Sequence, residues 1–227
     1  MTRPHFPHPP LVVEVAGPFA CFTRPELKAE RVSYPVMTPS AAKGLLESIY
    51  WKPEFDYLIT RIEVLRPIAW FSIRRNEASS MLSHHWVARA RRDPTLRYDI
   101  ERDRDQRNTV CLRDVAYRIS AQIRPRPHAD GPEARWRDQF RRRVDRGACF
   151  SQPFLGTREF ACDFGKAGDQ PPIDHSADLG LMLHSIDYQP GGGENYRWFR
   201  ARLQRGVLTV PEQGLLADPE IIAMGAP

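Results

Sequence analysis

The sequence predicts an α+β protein: a ferredoxin-like (RRM-like) βαββαβ domain with a small C-terminal antiparallel β-sheet. Three observations lead to this prediction. Several segments alternate apolar and polar residues, the pattern of half-buried strands. Two segments place apolar residues at helical spacing and are bounded by capping or breaking residues. In order, these segments are strand, helix, strand, strand, helix and strand, which is the order of the ferredoxin-like fold.

The first strand and the first helix lie in the N-terminal quarter of the chain. Residues 11–16 are predicted to form the strand, which the following Gly-Pro pair should end. After a long loop, residues 41–51 are predicted to be helical, with Ser40 or Thr38 as the N-cap and Pro53 as the stop. The apolar positions of this helix share one face: Ala42, Leu45, Leu46 and Ile49.

The central part of the chain contains three predicted strands and one irregular segment. Residues 55–64 and 68–73 are expected to pair with each other across the break at Pro67. Residues 76–108 are polar and rich in arginine, without a clear period, which predicts an insertion, either a hairpin or a mobile loop over a binding face. Residues 109–123 alternate again and predict a long strand.

The last part of the chain begins with a second helix at residues 133–146, bounded by Gly131-Pro132 and Gly147. A strand near residues 157–164 completes the first domain, which should cover residues 1–165. Residues 166–227 should form the C-terminal sheet. Its predicted strands are residues 179–188, 196–203 and 207–210.

Positive charge is concentrated in the middle of the chain. The formal net charge is +5, but the segment from Val87 to Arg146 holds 17 Arg against 10 Asp and Glu (+7), so the remainder carries about −2. A basic segment on a near-neutral body is the footprint expected of a phosphate-binding face. An arginine-rich surface is equally typical of a GC-rich genome, and duplex DNA would also match this charge, so DNA stays a possible partner.

Neither a metal site nor a cofactor is predicted. The four cysteines, Cys21, Cys111, Cys149 and Cys162, are widely spaced and include no CxxC pair, so no zinc site is indicated. No signal peptide and no apolar run of membrane-spanning length is visible, so no membrane partner is expected. Free thiols and this lack of targeting signals predict a cytoplasmic protein.

Four sequence blocks carry a family resemblance. The longest covers residues 22–53 (FTRPELKAERVSYPVMTPSAAKGLLESIYWKP), and three shorter blocks follow in order: 75–77 (RNE), 106–117 (QRNTVCLRDVAY) and 150–160 (FSQPFLGTREF). Together they resemble the CRISPR-associated Cas-five family in its type I-C branch, part of the repeat-associated RAMP superfamily. A general DNA-binding protein would explain the charge but not these ordered blocks.

The resemblance implies a repeat-specific endoribonuclease that processes precursor CRISPR RNA. Cleavage would be metal-independent, with the RNA 2′-OH as the nucleophile, so RNA and not DNA is cut. The protein would then retain the 5′ tag as a subunit of the type I-C surveillance complex, in contact with the repeat RNA and with the backbone and large subunits. The alternative is a non-cleaving scaffold subunit that binds the 5′ tag.

The same resemblance suggests catalytic residues. Tyr50 matches the active-site tyrosine of the family, and the alternative is a tyrosine that packs at a helix end. The Lys-His pair of relatives falls at Arg135 and Trp136. Arginine can stabilise a phosphate, but an indole cannot transfer a proton. His84 and His85, in the insertion, are therefore candidates for the acid or base, unless they are an ordinary surface pair. The alternative is slow cutting that depends on positioning and charge alone.

His128, in the linker before the second helix, is a more distant candidate for proton transfer. Lys43 lies seven residues before Tyr50 and should share its helix face. Trp51, Trp86 and Trp136 are candidates for stacking on RNA bases, although a core position for Trp51 is equally compatible with the sequence. The cations expected to contact RNA are Arg24, Lys28, Arg31, Lys43, Arg74, Arg75, Arg107 and Arg158.

Overall fold

The computed structural model describes residues 6–27, 30–189 and 191–216. Within these residues it contains nine strands and three helices. The helices are α1 (Pro39–Ile49), α2 (His84–Arg92) and α3 (Glu133–Arg146). The strands are β1 (Leu11–Ala20), β2 (Phe55–Val64), β3 (Trp70–Ala78), β4 (Arg104–Pro125), β5 (Asp163–Gly165), β6 (Ala177–Gln189), β7 (Gly193–Gln204), β8 (Val207–Thr209) and β9 (Leu215–Leu216).

These strands form one sheet in a mixed α/β protein. The strand order is β5-β1-β4-β2-β8-β7-β6, with β3 added on β4 and β9 on β7, and all these pairings are antiparallel. The 22-residue strand β4 organises the sheet. Its C-terminal half lies between β1 and β2, whereas its N-terminal half forms a hairpin with β3.

Two strand predictions were wrong. Strand β1 does not end at Gly17 but continues to Ala20, because β4 pairs with it up to Leu112. Glycine allows the close approach of a neighbouring loop here, since a Cβ on Gly17 would lie 2.7 Å from Leu155 Cδ1. Residues 68–73 do not pair with β2, because β3 pairs with the N-terminal half of β4 instead.

Both long helices form where the sequence predicts them. Thr38 is the N-cap of α1 and accepts a hydrogen bond from the Ala41 amide at 3.2 Å. Helix α3 spans the predicted residues and ends at Gly147, whose φ of 62° is left-handed. The strand expected near residues 157–164 is reduced to the three residues of β5, because the residues before it form a tight loop closed by the Leu155 amide on the Phe160 carbonyl.

The arginine-rich segment at residues 76–108 is a β-hairpin that carries α2. The Asp103 carboxylate holds its base together, accepting hydrogen bonds from the Ser79 hydroxyl at 2.6 Å, the Ser80 hydroxyl at 2.7 Å and the Tyr98 hydroxyl. These bonds hold the pKa of Asp103 well below its usual range. Of the two forms predicted for this segment, a hairpin or a mobile loop, the structure has the hairpin.

The core lies where α1 and α3 pack against each other and against the sheet. Aromatic side chains fill this space, with Phe55 and Tyr57 of β2 contacting Trp136 and Phe140 of α3 at ring-centroid distances of 5.4 and 5.7 Å. Strand β8 joins the C-terminal strands to β2. No helix in the described part of the chain is both long and apolar enough to cross a bilayer.

Candidate active site

Tyr50 is held rigidly at the C-terminal end of α1. Its amide donates to the Leu46 carbonyl at 3.0 Å, and its own carbonyl accepts the Tyr57 hydroxyl at 2.8 Å. The ring packs against Phe55 at 5.9 Å between centroids, and the residue is 6% exposed. Because backbone and ring are both fixed, the side chain has a defined position at the surface end of the core.

Arginine side chains of α3 surround Tyr50. The guanidinium of Arg143 lies 5.2 Å from the centre of the Tyr50 ring and donates to the Ile49 carbonyl at 2.5 Å. Arg143 was not predicted as a site residue. Helical periodicity was the available signal, since Arg143 lies seven residues, or about two turns, after Trp136 and so shares its helix face.

These charges act on the Tyr50 hydroxyl. Burial raises its pKa above the ordinary value and Glu54 acts in the same direction, whereas Arg135, Arg143 and Arg142 oppose the increase without cancelling it. Tyr50 therefore keeps its proton at neutral pH. A neutral hydroxyl among guanidinium groups can hydrogen-bond to a substrate hydroxyl while cations contact an adjacent anion.

Trp136 is a core residue, and the prediction that it stacks on RNA is wrong. It is 3% exposed, and its ring lies against Phe55. The cause is the apolar stripe of α3, in which Trp136, Phe140 and Val144 recur every four residues and face the sheet. A base could reach this ring only if the core were repacked.

His84 and His85 do not lie near Tyr50, so the structure contradicts their predicted place in its site. Phe55, which packs against Tyr50, pairs with Pro125 at one end of β4, whereas the histidines are exposed on the hairpin at the other end. The hairpin begins where Ala78 pairs with Arg104, so most of β4 lies between the two places. The two histidines were predicted from their residue type alone, and residue type carries no information about where a side chain lies in the fold.

His128 lies much closer to Tyr50 than the hairpin histidines. Its Nε2 is 3.0 Å from the Pro53 carbonyl, and the same loop is fixed by the Arg126 amide on the Glu54 carbonyl at 2.8 Å. The imidazole is exposed at this contact. The loop before α3 therefore brings a histidine against the segment that directly follows Tyr50.

A second cluster of charged side chains connects Arg31, in the first sequence block, with residues of the other three blocks. Arg31, Arg75 and Arg107 surround Glu77 at 3.7, 3.4 and 3.9 Å. Arg31 also pairs with Glu159 at 3.6 Å, as does Arg75. Burial raises the pKa of Glu159, but the hydrogen bonds that it accepts and the charges of Arg75 and Arg31 together outweigh burial, so the pKa lies below the usual value. Three of the arginines predicted to contact RNA are thus paired with glutamates of the protein itself.

The other predicted cations are dispersed. Arg24 lies 4.5 Å from the Tyr34 ring centre and 3.6 Å from Glu26. Arg74 bonds to Asn108 at 3.3 Å. Arg158 is exposed at the tip of the loop before β5, and Lys28 lies outside the described residues.

Lys43 does not share a site with Tyr50. Its ammonium pairs with Asp56 at 3.1 Å and with Glu47 at 3.7 Å. It lines a groove of about 500 Å³ between α1 and β6, which Tyr50 does not line. Within the residues described, no group of three or more His, Cys, Asp or Glu side chains is placed to hold a metal ion.

The Asp56 ion pairs predict an acid-dependent loss of stability. The hydrogen bond from Arg126 is the main cause that lowers the pKa of Asp56 from 3.8 to about 2. The stabilisation is therefore complete above pH 4 and is lost as the pH falls to 2. After allowance for solvent screening, Asp56→Asn should lower the free energy of unfolding by about 1 kcal/mol at pH 7, with the difference shrinking below pH 4.

Urea denaturation between pH 7 and pH 2.5 measures this difference. Asp138→Asn is the matched control, because Asp138 is 70% exposed and forms only a surface pair with Arg141 at 3.3 Å. That substitution should change stability by a few tenths of a kcal/mol at most. An Asp56→Asn effect that stays constant over the whole pH range would contradict the proposed ion-pair origin.

Comparison with known proteins places the chain in a family. The family model of CRISPR-associated Cas5 proteins, of the Cas5d type, matches residues 10–211. A CRISPR pre-crRNA endoribonuclease Cas5d of Mannheimia succiniciproducens is 41% identical over 88% of this chain and 93% of its own length. The Thermus thermophilus protein of the same name is 40% identical over 89% and 92%. The chain therefore belongs to the CRISPR-associated Cas5 family, in its Cas5d branch, and the family prediction is confirmed.

Solved structures share the fold. A crystal structure of a CRISPR-associated protein matches with a TM-score of 0.65 at 23% identity, covering 90% of this chain and 92% of the other. A chain of a CRISPR RNA-guided surveillance complex matches with a TM-score of 0.51 at 16% identity, covering 92% and 91%. At these identities the likeness concerns the fold.

Proposed function

We propose that this chain is a repeat-specific endoribonuclease that cuts precursor CRISPR RNA at Tyr50 without a metal ion. The observation that carries the proposal is the position of Tyr50, a fixed neutral hydroxyl beside Arg135 and Arg143. Support also comes from the two relatives at about 40% identity, both named pre-crRNA endoribonucleases. After cleavage the protein keeps the 5′ tag as a subunit of the type I-C surveillance complex.

The proposed reaction is attack by a 2′-OH on the adjacent phosphate. The 2′-oxygen forms a bond to phosphorus, the bond to the 5′-oxygen breaks, and the products are a 2′,3′-cyclic phosphate and a free 5′-hydroxyl. The reaction requires a group that accepts the 2′-OH proton, a cation at the crowded phosphate and an acid for the leaving oxygen. Tyr50 orients the 2′-OH, and Arg135 and Arg143 stabilise the phosphate charge.

His128 is proposed as the proton-transfer group that Trp136 cannot be. Its contact with the Pro53 carbonyl holds the imidazole beside the segment that follows Tyr50. If Nε2 carries the hydrogen that is donated to this carbonyl, Nδ1 is left as an acceptor. The same contact does not exist for His84 or His85, which lie on the hairpin.

The proposed RNA surface includes cations outside this site. Arg74 and Arg158 are the best placed of the predicted set, because neither is paired with a carboxylate in the described residues. Arg24, Arg31, Arg75 and Arg107 can exchange their internal partners for phosphates. Lys43 and Lys28 complete the set.

The proposal also includes a division into two parts and a cytoplasmic location. The strand order β5-β1-β4-β2, with α1 and α3 as its connections, supports a ferredoxin-like domain at residues 1–165 and a C-terminal extension at 166–227. All four cysteines are free. This supports work in the reducing cytoplasm, next to the backbone and large subunits of the complex.

Cleavage of labelled repeat RNA in EDTA tests the proposed reaction. A single cut that persists in EDTA and disappears when the nucleotide at the cut carries a 2′-deoxy substitution is the expected result. Loss of cutting in EDTA would contradict the metal-free mechanism. Tight binding that leaves the RNA intact would instead support the alternative, a non-cleaving scaffold subunit. Trp136 is consistent with that alternative, because an indole cannot transfer a proton.

Substitution of His128 tests the proposed proton transfer. His128→Asn should slow single-turnover cutting of repeat RNA about tenfold, because asparagine cannot take up or release a proton as an imidazole does. His84→Asn is the matched control and should leave the rate unchanged. An unchanged rate in His128→Asn would exclude this role.

A further inference from the structure

A small cavity of about 300 Å³ lies at the C-terminal end of α3, beside the helix end that carries Tyr50. Its lining residues are Gln139, Arg142, Arg143, Arg146, Ala148 and Cys149. Together with Arg135, the residues Gln139, Arg142 and Arg146 recur at spacings of four, three and four, so they form one face of the helix. This face runs about 16 Å, from the catalytic arginine to the cavity.

The cavity carries positive charge that no carboxylate among the described residues balances. Arg142 donates to the Gln139 side-chain oxygen, and Arg143 contacts the Ile49 carbonyl and the Tyr50 ring, all of which are neutral partners. Asp145, the neighbouring acid on the helix, pairs with Lys166 at 3.3 Å. Unlike Arg31, Arg75 and Arg107, which pair with Glu77 or Glu159, the arginines of the cavity keep their positive charge available, so the cavity is suited to an external anion.

Two exposed aromatic rings lie near the C-terminal end of α1. Phe150 is 80% exposed although its amide is fixed to the Ser48 carbonyl at 2.8 Å. Trp51, which directly follows Tyr50, is 50% exposed. Aromatic rings held on a rigid backbone but open to solvent can stack on unpaired bases.

We propose that this cavity is a binding site for an unpaired RNA nucleotide next to the scissile bond. Arg142 and Arg146 bind its phosphate, and Phe150 stacks on its base, with Trp51 as a second stacking surface. The identity of the RNA rests on the proposed function, but binding at this site does not require that the chain cut it. A nucleotide fits both features of the site, because its phosphate is an anion for the arginines and its base is a planar ring that can stack on the exposed aromatic side chains.

Cys149 provides a direct probe of occupancy. It lines the cavity and is exposed, whereas Cys21, Cys111 and Cys162 are buried. Maleimide alkylation should therefore modify Cys149 in the free protein. A saturating amount of repeat RNA with 2′-O-methyl groups throughout, which cannot be cut by 2′-OH attack, should slow this modification about tenfold. An unchanged rate with bound RNA would overturn the proposal.

Substitutions separate the phosphate contact from the stacking contact. Replacing both Arg142 and Arg146 with alanine should reduce the slope of log affinity against log salt by about 0.7, the contribution of one single-strand phosphate. Phe150→Ala should weaken binding about tenfold and Phe150→Trp should restore it. Arg141→Ala, on the same helix but paired with Asp138, is the control and should change neither quantity.

The possible outcomes distinguish this site from the cleavage reaction. An equal loss of affinity in Arg141→Ala and Arg146→Ala would indicate a general charge effect and overturn the proposal, as would full affinity in Phe150→Ala. Protection of Cys149 together with uncut natural RNA would refute the proposed nuclease while leaving this site intact. The reverse, cutting without protection, would refute the site alone.

Discussion

Tyr50→Phe is expected to slow single-turnover cleavage of repeat RNA by about 100-fold or more, while repeat affinity stays within roughly tenfold. The substitution removes only the hydroxyl. The ring keeps its packing on Phe55 and its contact with Arg143, so the fold and the charge around the site are retained. The rate falls because the 2′-OH loses the group that orients it at the phosphate.

Rapid-mixing cleavage assays and a separate binding titration measure the two quantities. Tyr117→Phe is the matched control, since it removes the same atom from a tyrosine buried in the core near Phe22, where the ring centroids are 5.8 Å apart. It should not change the cleavage rate. A Tyr50→Phe rate within threefold of the wild type would contradict a catalytic role, and a parallel loss of affinity would make Tyr50 a binding residue.

Gly156→Ala is expected to be the most destabilising of the substitutions considered. Gly156 has φ of +89°, and a Cβ there would lie 2.0 Å from the Cys21 carbonyl oxygen. The left-handed backbone alone costs about 1–2 kcal/mol for alanine, and the clash with main chain forces the loop away from β1. The total should be about 3 kcal/mol or more, or a fall of roughly 6–12 °C in Tm for a chain of this size.

Gly147→Ala separates backbone strain from the clash. Gly147 also has a positive φ, of +62°, but a Cβ there would meet no atom within 4 Å. It should therefore lose about 1 kcal/mol, or 2–4 °C in Tm. Calorimetry or thermal melting of both variants measures the difference, and equal losses would show that contact with Cys21 does not determine the requirement for glycine.

The helices were predictable because their signals are local. The N-cap Thr38 with Pro39, and Gly147 with its left-handed backbone, fix helix ends without reference to the rest of the chain. Strand pairing was less predictable, because it depends on which distant segments meet. The sequence contains no local mark that β4 pairs with β2 in one half and with β3 in the other.

The candidate site was only partly predictable for the same reason. Tyr50 and Arg135 came from the family resemblance, and the structure brings them together on different elements. Arg143 was missed although helical periodicity pointed to that face. The position of His128 beside Pro53 was not predictable from local sequence, because this contact joins residues 75 positions apart.

The long strand β4 has a mechanical consequence. It continues from the hairpin that carries α2 to the loop beside Tyr50, although Asp114 within it has a left-handed φ of 51°. The number of residues in β4 therefore sets the separation between Tyr50 and whatever the tip of the hairpin contacts. Deleting two paired residues from each strand of the hairpin would move its tip inward by about 7 Å and leave Tyr50 unchanged.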